Sequence, residues 1–319
     1  MGRKNEVTID LPVTFVSKKY PNLIVMIKKD RVYFQNGEYT TSDIYLIKQL
    51  ITNVSYGSQY STPNQLLVID QFQNVINVFG YQKAEIYKKI YPPELASKVS
   101  IVIGTWQNPT CIRECLESIY KATPEGYEVI VVDNATDPES KRIIAHYKSL
   151  LKKNMQVLVN PENNKSFSQF NNEGAELATR PYVLFLNDDT VVQAYWLESM
   201  VALLESKDDV GMVGKKTLKP NMTPFQHAEG NMSGELEIVF GHCILLRKAD
   251  AHFDPKYKQY GWEDFDLCSR LKSQGKRIMC ERVFPIIHKC SQSTRKLEGY
   301  ATVIAPRNRK IYETTWNKH

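Results

Sequence analysis

The sequence predicts an α/β protein: a mostly parallel central sheet flanked by helices, preceded by a small α+β module. Three observations predict it. Beyond residue 98, β-rich apolar runs alternate with segments of helical periodicity, the βαβαβαβ order of a parallel sheet with right-handed crossovers. Ahead of that series, Tyr91-Pro92-Pro93 breaks the chain. Within it, the apolar run Leu184-Phe185-Leu186 stops at Asn187-Asp188-Asp189-Thr190, placing paired carboxylates where a buried strand ends. Open α/β sheets bind ligands outside the carboxyl ends of their strands, and two carboxylates there can hold a divalent cation that in turn holds a phosphate. The competing reading makes Asp188-Asp189 the N-cap of a helix beginning near Thr190-Val191-Val192.

The proline break divides the chain into an accessory α+β module, residues 1–92, and a larger domain, residues 93–319. In the first, Leu23–Ile27, Arg31–Gln35 and Leu66–Ile69 read as strands. Ser42 or Asp43 can cap a helix carrying Ile44, Leu46, Ile47, Leu50 and Ile51, and another helix is expected near Ala84–Ile90. The module shows no catalytic pattern, and its Lys28-Lys29 and Lys88-Lys89 pairs read as solvated faces. Protein contacts or oligomerisation are its candidate roles.

In the larger domain, strands are expected at Val99–Ile103, Glu128–Val132, Met155–Val159 and Tyr182–Leu186, with helices at Cys111–Tyr120, Pro138–Leu151 and Ser168–Ala178. The strand ends then carry Thr105-Trp106, Asp133-Asn134, Asn160 and Asp188-Asp189, so polar groups gather where the topology expects a ligand. No GxGxxG follows the first strand, and no GxxxxGK[ST] loop is present. A second acidic cluster, Trp262-Glu263-Asp264, and the later His288 complete the pattern of a metal-dependent enzyme acting on a nucleotide-linked substrate.

Composition narrows the setting. At 319 residues and 42% hydrophobic, the chain can bury a full core. A net charge of +6, with Lys and Arg spread along the chain, is weak support for nucleic-acid binding. No apolar run approaches the roughly 18–20 residues that span a bilayer, and residues 1–20 lack a signal-peptide core, so a cytoplasmic location is expected. The six cysteines form no CxxC pair, and Cys111 and Cys115 fall on one helix face, reading as free buried thiols. His146, His227, His242 and His252 read as structural or solvated.

The motifs resemble family 2 glycosyltransferases of the GT-A fold. Val99-Ser-Ile-Val-Ile-Gly-Thr-Trp-Gln-Asn108 is similar to the opening strand and loop of that family. Val131-Val132-Asp133-Asn134-Ala135-Thr136-Asp137 matches its second nucleotide-contacting turn. Asn163-Asn164-Lys165-Ser166-Phe167, with Asn172 beyond, follows its Asn-rich third segment. Leu186-Asn187-Asp188-Asp189-Thr190 takes the place of the DxD motif. Gly241-His-Cys-Ile-Leu-Leu-Arg247, Phe253-Asp254, Gly261-Trp-Glu-Asp-Phe-Asp-Leu-Cys-Ser-Arg270 and His288 match the acceptor half. The likeness runs over about residues 99–295, with a nucleotide-sugar half at 99–190 and an acceptor half at 191–319. Two departures stand out: Gly104 where the family often has Pro, and Asn187 where a strict DxD has Asp.

The resemblance implies inverting transfer of a sugar from a nucleotide-diphosphate sugar, UDP- or dTDP-linked, to an acceptor hydroxyl. It places the nucleotide against Thr105, Trp106, Asn108 and Asp133, the last accepting the imide proton of uracil or thymine. Asn164, Lys165, Asn172 and Asp188 complete that set. Asp189 and His288 are the implied ligands of a Mn2+ or Mg2+ ion. Asp264 is the implied base and Glu263 its acceptor-binding partner; the alternative is that these acids cap the following helix, a duty Asp266 is placed to perform by itself. Trp262 is open between a platform for an acceptor sugar and a core residue. The acceptor can be a glycan, a protein, a lipid carrier or a modified nucleic acid. A nucleotidyltransferase would be expected to carry a Gly- and basic-rich phosphate loop after the first strand, which Gly104–Pro109 lacks. A catalytically silent adaptor is disfavoured by the complete acid and histidine set.

Overall fold

The computed structural model describes residues 91–162, 165–221, 234–289 and 299–316, together with six strands within the first ninety residues. The chain divides into two compact units, Met1–Pro92 and Pro93–His319, and each is described by itself. In the first, β1 (Val13–Ser17), β4 (Glu38–Thr41), β5 (Leu66–Ile69) and β6 (Val75–Asn77) form an antiparallel sheet in the order β4-β1-β5-β6, while β2 (Ile24–Ile27) and β3 (Asp30–Tyr33) form a hairpin. Strands β1, β4 and β6 escape the sequence pattern because three to five residues carry too little alternation to register; pairing across the sheet defines them. The helices expected at residues 44–51 and 84–90 lie outside the described residues.

The second unit opens with a 3-10 turn, Pro93–Lys98, and continues through β7 (Val99–Thr105), α1 (Pro109–Ala122), β8 (Glu128–Asn134), α2 (Pro138–Leu151), β9 (Met155–Asn160), α3 (Phe167–Leu177) and β10 (Tyr182–Asn187). There follow β11 (Thr190–Val191), α4 (Trp196–Leu204), β12 (Val210–Leu218), β13 (Cys243–Arg247), α5 (Glu263–Ser273), β14 (Arg277–His288) and, after a π-helical turn, α6 (Ala305–Trp316). Eight strands make one sheet in the order β11-β14-β12-β13-β10-β7-β8-β9. It is parallel from β10 through β9; β13 then runs antiparallel between β10 and β12, and β14 lies parallel to β12. The carboxyl ends of β7, β8, β9, β10, β12 and β14 therefore share one edge with the amino end of β13.

Strand β7 is buried on both faces, and its alternate residues enter different layers. Ile101 and Ile103 pack with Ile112, Leu116 and Ile119 of α1, whereas Val102 packs with Phe167, Ala175 and Leu267 on the other side. Local chemistry sets the helix starts. Asp137 accepts the Glu139 and Ser140 N–H groups, with Pro138 opening α2, and Ser166 and Gln169 form a capping box at α3. Gly104 stands where Phe170 crosses the strand: a Cβ there would come within 1.9 Å of the ring, which excludes the proline common in the family as well. Among the described residues, no helix is long and apolar enough to cross a membrane.

Candidate active site

Because the first four strands of the second unit run the same way, their ends bring Thr105, Asp133, Asn160 and Asp188 to one rim. Asp188 is buried, and the Thr105 hydroxyl donates to its Oδ2 at 2.7 Å. Asp133 is buried as well, its Oδ1 accepting the Thr136 N–H at 2.8 Å. Several buried polar atoms on this rim have no hydrogen-bond partner among the described residues: Trp106 Nε1 and Asn160 Nδ2, which could donate, and Thr136 Oγ1. Such atoms are rare in a folded interior, and their gathering at one edge marks a place built to meet a polar ligand. Backbone strain collects here too. Four of the six non-glycine residues with left-handed φ among the described residues, Gln107, Ala135, Gln259 and Trp262, lie on the loops around this edge. Each costs on the order of 1 kcal/mol or more, typical of functional loops.

The other end of the sheet supplies an imidazole. Thr190 of β11 pairs with His288 at the end of β14, and this register sets His288 Nε2 3.0 Å from Asp189 Oδ1. Asp189 Oδ1 is buried and, apart from the His288 imidazole, has no polar partner named among the described residues. Asp189 and His288 thus offer one oxygen and one nitrogen; among the described residues no group of three acid, imidazole or thiol side chains forms a complete metal cage. His242, which the sequence reading left as structural, lies face to face with His288 at 4.5 Å and 10°, and its Nε2 is 2.6 Å from the Thr217 hydroxyl. Burial, then the neighbouring His288, holds the His242 pKa well below the usual histidine value, so it packs as a neutral ring.

The second acidic pair reaches the same rim from α5. Asp264 Oδ2 accepts the Gly241 N–H at 3.0 Å, and the adjoining His242 carbonyl accepts the Asn187 N–H at 2.9 Å. One short segment therefore ties Asp264 to the end of β10. Tyr260 joins them from above. Its hydroxyl hydrogen-bonds the Asn187 side chain and is held well above its usual pKa by enclosure, then by the charges of Glu263 and Asp264. Burial, and then Asp264, pushes Glu263 well above the usual carboxylate range, and its Oε2 takes no hydrogen bond. Asp264 is also raised by burial, but the Gly241 and Phe265 N–H groups favour its ionised form. Both carboxyls are therefore raised by burial, Glu263 further than Asp264 because the Asp264 charge lies beside it.

The structure corrects several expectations. Asp188 and Asp189 cap no helix, since β11 follows them and the next helix, α4, starts at Trp196. The N-cap of α5 is Trp262 in a left-handed conformation with no side-chain cap bond, while Asp264 Oδ1 accepts the first-turn Phe265 N–H at 2.9 Å. Asp266 is no cap either: its Oδ1 receives the Tyr257 hydroxyl, Lys256 Nζ and Trp316 Nε1. Asn172 was expected to touch nucleotide, but its amide bonds the Phe253 N–H and carbonyl, both at 2.8 Å, and so fixes the loop after β13. Lys165 forms an ion pair with Glu173 at 2.5 Å beside α3. Trp262 packs against Phe265 and Tyr312 while remaining partly exposed, with the Arg309 guanidinium 5.9 Å from its ring. Asn164 and His227 lie outside the described residues. Tyr260 was missed; its place directly before Gly261-Trp262-Glu263-Asp264 was the available signal.

A mixed sheet with acids, amides and an imidazole along one edge is the GT-A arrangement. Residues 100–258 match the family model described as Glycosyl transferase family 2, and this chain belongs to that family. The O-antigen biosynthesis protein RfbC of Myxococcus xanthus is 27% identical over 243 residues, covering 66% of this chain and 18% of that protein. The chain thus spans under a fifth of the length of this relative. Among solved structures, GalNAc-T7 with UDP, GalNAc and Mn2+ superposes with a TM-score of 0.57 at 14% identity, over 69% of this chain and 48% of that one. The mannosyltransferase PcManGT of Pyrobaculum calidifontis, in complex with GDP-Man and Mn2+, gives 0.52 at 17% identity, over 61% and 58%. At these identities the structural likenesses show the fold.

Proposed function

We propose that this protein is an inverting glycosyltransferase that moves a sugar from a UDP- or dTDP-sugar to an acceptor hydroxyl with the help of a divalent cation. The observation that carries the reading is the meeting, on one sheet edge, of the Asp189–His288 pair and the Glu263–Asp264 pair, linked through Asn187, His242 and Tyr260. Asp189 and His288 would hold Mn2+ or Mg2+, which would supply positive charge to offset that of the departing diphosphate. Asp133 accepts the imide N–H of the base, with Thr105, Trp106 and Asn108 lining the same loop. Asp188, fixed by Thr105, faces the ribose or the water shell of the cation. Asp264 takes the proton of the acceptor hydroxyl, and Glu263 binds the acceptor. Attack from the face opposite the diphosphate inverts the anomeric centre. The Mn2+ and nucleotides in the two structural neighbours support this reading.

A thermal-shift panel of UDP-, dTDP- and GDP-sugars, each with and without Mn2+, tests it. A ligand at about 100 times its dissociation constant adds ~2.7 kcal/mol. The expected result is a Mn2+-dependent shift with uracil or thymine donors. Absence of a shift with every nucleotide sugar would remove the reading.

A further inference from the structure

The loop that carries Tyr260 and delivers Glu263 and Asp264 is held by a residue far along the chain. Gln259, Gly261 and Trp262 all have left-handed backbone, with φ of 62°, 101° and 75°. Such a loop keeps its shape only if its surroundings over-determine it. Each of its carbonyls has a named donor. Gln259 O receives the Phe167 N–H of α3 at 2.7 Å. The other three converge on one side chain: Asn308 Nδ2 lies 3.0 Å from Lys258 O, 3.3 Å from Tyr260 O and 2.9 Å from Gly261 O. Three carbonyl oxygens around one amide leave no doubt which end faces them, because only the NH2 group can donate.

Asn308 is fully buried in the first turn of α6. Its own oxygen is held by Arg307, whose Nε and Nη2 stand at 3.2 and 3.1 Å and whose Nη2 also reaches Lys258 O at 2.8 Å. Two further contacts bind the same helix to α5, Ser269 to Tyr312 at 2.9 Å and Trp316 Nε1 to Asp266 at 2.9 Å. These fasten the body of α5, whereas Asn308 gathers three carbonyls of the strained turn before its first residue, with Arg307 adding a second donor to Lys258 O.

We propose that Asn308 is a positioning residue for the acid pair: by gathering the carbonyls of Lys258, Tyr260 and Gly261 it fixes the angle at which Glu263 and Asp264 enter the site. The inference rests on the reading of Asp264 as the base. Misplacement by about 1 Å can cost on the order of 10²-fold in rate, so a clamp outside the chemistry can govern turnover.

The test uses the full chain, Asn308→Ala, and Asp264→Asn as control. UDP release from UDP-glucose, UDP-galactose and UDP-GlcNAc with Mn2+ is measured with water as acceptor, and UDP affinity by calorimetry, at a temperature where circular dichroism shows each protein folded. Asn308→Ala is expected to lower kcat at least tenfold while donor KM and UDP affinity stay within about twofold. A residue that merely stabilises the fold would leave kcat of the folded protein unchanged, and that result overturns the proposal, as does UDP affinity lost in step with activity. If Asp264→Asn keeps full activity, the base assignment fails; if it is inactive while Asn308→Ala is not, only the clamp fails. If none of the three donors is turned over, difference infrared titration of the carboxyl pair decides: a midpoint moved by at least about half a pH unit is expected, and an unmoved one overturns the inference. Should Asn308→Ala not fold, exposed Arg307→Ala is read in the same assays, with kcat two- to fivefold lower, or a moved carboxyl midpoint, expected, and wild-type values refuting.

Discussion

Asp189 and His288 lie ninety-nine positions apart and meet at 3.0 Å because Thr190 of β11 pairs with His288 of β14. A two-residue strand thereby closes the far edge of the sheet onto the acid pair that ends β10. Lys289 adds a second tie, donating its N–H to the Asp189 carbonyl at 2.9 Å. The imidazole is braced from behind by His242, so its orientation is set before any ligand arrives.

From this pairing, nucleotide binding is expected to depend on a divalent cation. Calorimetry with UDP should show tight binding in Mn2+ and at least tenfold weaker binding after EDTA, in Asp189→Ala or, to a lesser degree, in His288→Ala. Equal affinity in metal-free buffer would sink the assignment.

Asp264 and Glu263 should fail in different ways. Asp264→Asn keeps the shape and removes the basicity, so transfer should fall by at least ~10²-fold while donor affinity holds within a few-fold. Glu263→Gln removes the carboxyl that binds the acceptor and should chiefly raise the Michaelis constant for acceptor. The reverse pattern in steady-state kinetics would move the base to Glu263.

A buried acid away from the site should govern the pH dependence of stability. Glu198 on α4 is almost fully buried, its Oε2 takes no hydrogen bond, and burial pushes its pKa from 4.5 up to about 7. Lys215, its nearest cation, is engaged by Glu281, Ser199 and the Trp196 carbonyl. Below about pH 4.5 both folded and unfolded states hold the Glu198 proton. Between 4.5 and about 7 only the folded state does, so this contribution is lost as pH rises. Glu198→Gln should therefore raise stability at pH 8 by about 2–3 kcal/mol and leave it little changed at pH 4. Chemical denaturation at the two pH values measures this; a variant no more stable at pH 8 than at pH 4, relative to the parent, contradicts it.

The second unit should fold without the first. Among the described residues, its apolar clusters are built from Ala96 onward, with Leu95 packed against them. The fragment should start at Pro93 and not at Val99, because Ala96 in the opening 3-10 turn is fully buried in that core. Cooperative urea unfolding and retained UDP binding are expected of residues 93–319. An insoluble or molten fragment would show that the first unit completes the core.

The sequence by itself determined the strand–helix alternation from Val99 to Asn187. It also located the acids Asp133, Asp188, Asp189, Glu263 and Asp264. Both were legible because they are local: a doubly buried strand must be continuously apolar, and carboxylates at its end have no packing role to explain them. The antiparallel placement of β13, the pairing of β11 with β14, and the stacking of His242 on His288 were decided by tertiary structure. So were the engagement of Asn172 with Phe253 and the grip of Asn308 on the Tyr260 loop. Each depends on a partner more than forty residues away, and an amide or imidazole reads alike in sequence whether it meets a ligand or a backbone carbonyl. The raised pKa values of Glu263 and Asp264 were likewise set by the fold, since the burial that penalises both charged forms comes from packing that no local pattern shows.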